Sequence, residues 1–213
     1  MFFELEGVEF MVPNTKAFDA ALMELSNFVS KLSSSINREQ VERMLGMLME
    51  AWSWGKIVLV VGAGRSGLVG RAFAMRLMHL GFRTYVVGET VTPGVGPNDL
   101  LIAISGSGTT GVVVAAADAA KRVEAKVIAI TSFPDSPLAK LADHVVVVPG
   151  RAKTSEETDY FSRQILGMHE PLAPLGTLFE IGTMVFLDSV IAELMHRLGK
   201  TEREMKTRHA TIE

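Results

Sequence analysis

Five short runs of aliphatic, mostly β-branched residues, several separated by helical stretches, constrain the fold of this chain more than anything else in it. The runs are Lys56–Val61, Thr84–Val87, Leu100–Ile104, Val127–Ile130 and Val145–Val148. They lack the in-out alternation of a half-exposed strand, so they read as strands covered on both faces. Leu68–Leu80, Thr110–Val123 and Leu138–Ala142 fall between them with helical patterning. Alternating strand and helix predicts an α/β fold, a doubly wound five-stranded parallel sheet in the order 2-1-3-4-5.

The flanks complete the plan. Phe18, Leu22, Leu25, Val29 and Leu32 recur at helical spacing, and Asn14 is placed to cap that helix. Asn37, followed three residues later by Gln40, predicts a capping box. Val41, Met44, Leu45, Leu48, Met49 and Trp52 then mark a second helix, ended by Gly55. The pair reads as an N-terminal helical hairpin. After Pro174 a long helix runs to about Leu198, apolar nearly all round, which predicts burial, partly against another subunit. Gly199 ends it and a polar tail follows. A single domain over 1–213 is expected: helices in 14–55, the sheet in 56–149, and a loop, long helix and tail in 150–213.

Composition removes several classes of function. There are no cysteines, so thiolate nucleophiles, disulfides and cysteine metal sites are excluded. Five scattered histidines without H-x-x-x-H spacing predict no metal site. A net charge of −3 with no basic stripe argues against nucleic acid. The first nine residues carry three glutamates, unlike a secretory signal, and no apolar run is long enough to span a membrane. A cytoplasmic protein is expected.

Two glycine loops carry the chemistry. The first strand runs into Gly62-Ala63-Gly64-Arg65-Ser66-Gly67, which fits the dinucleotide pattern G-x-G-x-x-G. That pattern also needs an acid at the end of the second strand, and Glu89, the one candidate, lies late. Arg65 and Ser66 inside the loop suit a phosphate monoester or a sugar hydroxyl better. The bland alternative is that the glycines only allow the helix to approach the strand. The third strand runs into Ser105-Gly106-Ser107-Gly108-Thr109-Thr110-Gly111, four hydroxyls and three glycines ahead of a helix. Helix N-termini offer unpaired N–H groups and a positive dipole end, and hydroxyls add donors without charge. A P-loop lysine is missing, so a nucleoside triphosphate is not expected. Ordinary helix capping needs one hydroxyl, not four. Both loops follow parallel strands, so one ligand can reach both.

The pairing of GAGRSG with SGSGTT resembles the SIS domain of sugar-phosphate isomerases. AMRLMHLGF (Ala74–Phe82), VVGETVTP (Val86–Pro93), PLGTLFE (Pro174–Glu180) and RHATIE (Arg208–Glu213) are similar to the 6-phospho-3-hexuloisomerase family, over roughly residues 16–213. Thr109 departs from the glutamate common at that place in SIS loops. The resemblance implies a flavodoxin-like SIS fold and a homo-oligomer, by analogy a tetramer. It also implies the interconversion of D-arabino-3-hexulose 6-phosphate and fructose 6-phosphate, in the formaldehyde-handling ribulose monophosphate route, with no cofactor. By the same resemblance, Ser66, Ser105, Ser107 and Thr110 hold the phosphate; Gly64, Arg65, Gly106 and Thr109 in the same two loops are further candidates for substrate binding, with Arg65 placed to touch the phosphate or screen an enediolate. Glu180 and His209 form the catalytic pair.

The residue types fit that chemistry. Moving a carbonyl between neighbouring carbons needs one base on carbon and one proton shuttle between oxygens. Glu180 lies among Leu178, Phe179 and Ile181, and withdrawal from water makes a carboxylate a better base. Its bland alternative is a buried carboxylate neutralised by an arginine. His209 suits the shuttle because imidazole titrates near neutrality, against the bland reading of a surface histidine in a charged tail. A sugar-phosphate sensor without turnover, or an isomerase for another substrate such as arabinose 5-phosphate, are the alternatives.

Overall fold

A computed structural model describes residues 15–150 and 176–208. Among these residues it contains a five-stranded, all-parallel sheet in the order β2-β1-β3-β4-β5. The strands are β1 (Ile57–Gly62), β2 (Arg83–Val86), β3 (Leu100–Ile104), β4 (Lys126–Thr131) and β5 (His144–Val147). The predicted runs are all strands, shifted by at most a residue or two at each end. The helices are α1 (Lys16–Ser35), α2 (Arg38–Ser53), α3 (Gly64–Leu80), α4 (Gly111–Arg122), α5 (Pro137–Leu141), α6 (Thr177–Arg197) and α7 (Glu202–Lys206).

The period-two pleat divides the core in two. Val58, Val60, Ile102, Ile104, Ile128, Ile130 and Val146 point to one face, under α2, α3 and α6. Leu59, Val61, Leu101, Ala103, Val127 and Ala129 point to the other, under α4 and α5. Small residues on that second face, with Ala117 and Ala120 of α4, let the helix lie close to the sheet. The central strands β1, β3 and β4 are buried along nearly their whole length, which explains their unbroken runs, whereas the edge strand β2 is partly exposed along its length and is not covered on both faces as its run suggested.

α6 is buried by the chain's own α1, α2 and α3. Phe186, Leu187, Val190, Ile191 and Leu194 are all buried there, while Val185 of the same helix stays exposed. One hydroxyl in this helix is out of place. Thr183 is fully buried and its Oγ1 has no partner among the described residues. An unmet buried hydroxyl costs about 1–3 kcal/mol. Thr183→Val, which keeps the shape, is therefore expected to raise stability by about 1 kcal/mol in denaturant unfolding; a loss of stability contradicts the reading.

Three local expectations are corrected. Asn37 caps α2 by accepting from the N–H of Glu39 and Gln40, but Gln40 does not close a capping box. Its Oε1 instead accepts from the Val147 N–H at 2.9 Å, tying α2 to β5. The polar tail contains α7, started by a capping box between Thr201 and Glu204. Thr15, not Asn14, precedes α1, and Asn14 lies outside the described residues.

His144 opens β5, buried, with Nε2 2.7 Å from the Gln40 carbonyl oxygen. Burial depresses its pKa below the usual 6.5; the Gln40 carbonyl opposes this and the Arg43 charge reinforces it. The unfolded chain thus takes up a proton that the folded chain resists, and stability falls as pH drops below 6.5. Neighbouring Asp143 acts in a lower window. Burial alone would raise its pKa, but Lys121 and the Val127 N–H outweigh that and hold it below 3.8. The fall in melting temperature between pH 7 and pH 5 should therefore be shallower in His144→Gln. An unchanged slope contradicts this.

Candidate active site

The strand order reverses between β1 and β3, and a cleft opens beyond their carboxyl ends, where open α/β sheets bind ligands. Ala63 and Ser66 line it after β1, Ser105, Gly106, Ser107 and Thr110 after β3, and Ser132 after β4. Gly176, Phe179 and Glu180 close it from the start of α6.

The second loop is built as a set of hydroxyl groups. Ser105 Oγ and Thr110 Oγ1 lie 2.9 Å apart, and the Gly108 N–H donates to Ser105 Oγ at 3.1 Å. Ser107 Oγ accepts from the Thr109 N–H (3.3 Å) and from Thr109 Oγ1 (2.9 Å). Accepting twice leaves the Ser107 hydroxyl proton free to donate to an anion. Thr110 is the N-cap of α4, yet its side chain makes no cap hydrogen bond. Thr110 therefore does not serve as an ordinary side-chain cap. The N-terminus of α4 adds unpaired N–H groups and its dipole at the same place.

The first loop works differently. A Cβ on Gly62 would lie 2.8 Å from the backbone carbonyl of Ser66, so glycine there lets α3 start tight against β1. Packing is thus part of what this loop does. Ser66 still reaches the cleft, whereas Gly64 and Arg65 do not line it. Glu89, the acid that a dinucleotide would need, pairs instead with Arg71, both half-exposed.

Arg65 joins the site through its partner. Its Nε forms an ion pair with Glu180 Oε2. The Arg65 side chain is 59% exposed and that of Glu180 only 8%. The pair compensates a carboxylate that would otherwise be stranded away from water. Glu180 sits in the first turn of α6, where the helix dipole favours negative charge. Room for it comes from Gly176, in the left-handed region at φ 79°, where a Cβ would lie 2.9 Å from Glu180 Oε1. A neutralising arginine is therefore present, but it comes from the cleft's own loop. Glu180 lines the cleft, and Arg65 meets it from the loop after β1.

Of the residues singled out from the sequence, Ser66, Ser105, Gly106, Ser107, Thr110 and Glu180 share this cleft. Thr109 supports it through Ser107. His209 lies outside the described residues. Among the described residues there is no cluster of histidine and carboxylate groups able to hold a metal ion. No described helix is long and apolar enough to cross a membrane. Sequence reasoning missed Ser132 and Phe179. Ser132 directly follows β4, and its place beyond a strand's carboxyl end was the available signal.

Comparison with known proteins defines the class. The SIS domain family profile matches residues 52–165, and the chain belongs to that family. Its relatives are more specific. A protein of Mycobacterium gastri named 3-hexulose-6-phosphate isomerase is 40% identical, over 87% of this chain and 86% of its own length. A crystal structure from Methanococcus jannaschii, described as inferring 3-hexulose-6-phosphate isomerase function, is 36% identical with a TM-score of 0.70. It aligns over 92% of this chain and 98% of its own. An uncharacterized protein of Aeropyrum pernix is 58% identical, over 90% of this chain and 91% of its own.

Proposed function

We propose that this chain is a sugar-phosphate isomerase that interconverts D-arabino-3-hexulose 6-phosphate and fructose 6-phosphate. One observation carries the reading: a buried carboxylate, Glu180, faces the same cleft as the hydroxyl loop at the N-terminus of α4. A base and an anion cradle at one site are what a phosphorylated sugar undergoing proton transfer requires. The likeness to relatives named for this reaction supports the substrate.

In the proposed mechanism, Ser66, Ser105, Ser107 and Thr110 hold the phosphate on C6. Glu180 takes the proton from C3 of open-chain fructose 6-phosphate. The C3–H electrons form the C2–C3 double bond, and O2 becomes the enediolate oxygen. A proton passes from O3 to O2, a step assigned to His209. Glu180 then returns its proton to C2, leaving the carbonyl at C3. Arg65, half in water beside Glu180, screens the charge that develops on the enediolate. The 3-ketone with phosphate on C6 cannot close a five- or six-membered ring through its remaining hydroxyls, so it binds open. Ring opening matters only from the fructose side. A homo-oligomeric, cytoplasmic enzyme of the formaldehyde-handling ribulose monophosphate route completes this proposal.

The test is a coupled assay. Fructose 6-phosphate is supplied to the protein with a 3-hexulose-6-phosphate synthase, and formaldehyde is measured. Formaldehyde released only when both proteins are present is the expected result. Binding of fructose 6-phosphate without turnover would overturn the enzyme reading and leave a sugar-phosphate sensor.

A further inference from the structure

Phe179 precedes the carboxylate of Glu180 and is itself buried, yet nothing in the chemistry above uses it. Its surroundings are unusual in that two separate glycines make room for it. A Cβ on Gly106, inside the hydroxyl loop, would lie 2.9 Å from Phe179 Cδ1 and 3.0 Å from Cγ. A Cβ on Gly150, just beyond β5, would lie 2.3 Å from Phe179 Cβ and 2.6 Å from its Cα. The ring therefore rests on the backbone of the phosphate loop, while the end of the sheet clamps the backbone of Phe179 itself.

Gly106 is not a yielding surface. Its carbonyl accepts from the Ser132 N–H at 3.1 Å and from Thr131 Oγ1 at 3.2 Å, so β4 fixes this peptide from beneath. On the other side, the Glu180 N–H donates to the Gly176 carbonyl at 3.1 Å, in the first turn of α6. Packed interiors transmit small displacements rather than absorbing them. A shift of the 105–110 loop must move the ring, and the ring cannot move without the turn that carries Glu180.

We infer that Phe179 is a positioning residue that links the phosphate loop to Glu180, with glycine at 106 as its required counterpart. An anion seated on Ser105, Ser107 and Thr110 orders the loop. Through Phe179 that order reaches the first turn of α6 and holds the carboxylate where the reacting carbon sits. The link to catalysis rests on the isomerase reading, but the mechanical contact does not.

The test is a double-mutant cycle read in two ways. Calorimetry with inorganic phosphate reads the contact. Gly106→Ala is expected to weaken phosphate binding about tenfold and Phe179→Leu to change it less than about threefold. The double variant, in which leucine leaves space for the new methyl group, should return to within about threefold of wild type. Fructose 6-phosphate turnover reads the positioning: Phe179→Leu should lower kcat about 30-fold with KM within about threefold. Phe179→Met serves if the leucine variant unfolds. A double variant as weak as Gly106→Ala alone overturns the link, and so does an unchanged kcat in Phe179→Leu. If wild type turns over no fructose 6-phosphate, the isomerase reading fails, and the phosphate cycle alone decides whether Phe179 is the link.

Discussion

Replacing Glu180 by glutamine should abolish isomerase turnover while leaving phosphate binding intact. The amide keeps the volume of the side chain and its place above Gly176, but it cannot take a proton from carbon. A positioned general base contributes about 10²–10⁴ in rate, and in the proposed mechanism the same group both removes and returns the proton. A loss of about 10³ or more in kcat is therefore expected, with the affinity for inorganic phosphate changed less than about threefold. The fold should tolerate the change. Arg65 is more than half exposed and can return to water once its partner is neutral. An isomerase that keeps a tenth of its kcat as Glu180→Gln would show that the base lies elsewhere. Comparable thermal unfolding of the two proteins separates lost chemistry from lost structure.

Gly108→Ala should damage binding and folding together. Gly108 has φ 66°, a conformation that costs a residue with a Cβ about 1–2 kcal/mol. Space is the harder limit. The new Cβ would lie 2.0 Å from Ser136 Oγ and 2.4 Å from Ser136 Cβ, so rotating the serine hydroxyl does not remove the clash. Ser136 is itself committed, since its Oγ caps α5 by accepting from the Ala139 N–H. Gly108 is held from both sides, donating to Ser105 and accepting from the Leu138 N–H at 3.0 Å. Overpacking of this kind adds about 1–3 kcal/mol. We expect a stability loss of about 3 kcal/mol and phosphate binding weakened about 100-fold. Near-wild-type melting together with near-wild-type affinity would mean that the 105–110 loop neither holds the phosphate nor depends on this glycine.

Much of the architecture was open to a reader of the sequence because the physics there is local. All five runs became strands, and the central three are apolar nearly throughout because both of their faces are covered. The hydroxyl loop was legible for the same reason, since four hydroxyls and three glycines ahead of a helix exceed what capping needs. What escaped depends on residues far apart in the chain. Gln40 has the spacing of a capping box, but the unpaired Val147 N–H on β5 competes for its side chain and wins. Nothing near Arg65 indicates that its partner is Glu180, 115 residues away. Phe179 reads as one more apolar residue in an apolar helix until Gly106 and Gly150 are seen against it. The short α7 is polar and carries no periodic stripe, and only its Thr201–Glu204 cap marked it. The assignment of His209 still rests on the likeness of the final RHATIE segment to the family.

The most direct test follows the hydrogen that Glu180 is proposed to take. Fructose 6-phosphate carrying deuterium at C3 is incubated with the protein and recovered, and the label is located by NMR. The isomerase account predicts that deuterium leaves C3, either to solvent or to C2 of the 3-hexulose, at a rate that collapses in Glu180→Gln. Deuterium retained at C3 while the sugar phosphate binds, or hydrogen exchange at C1 alone, would contradict it.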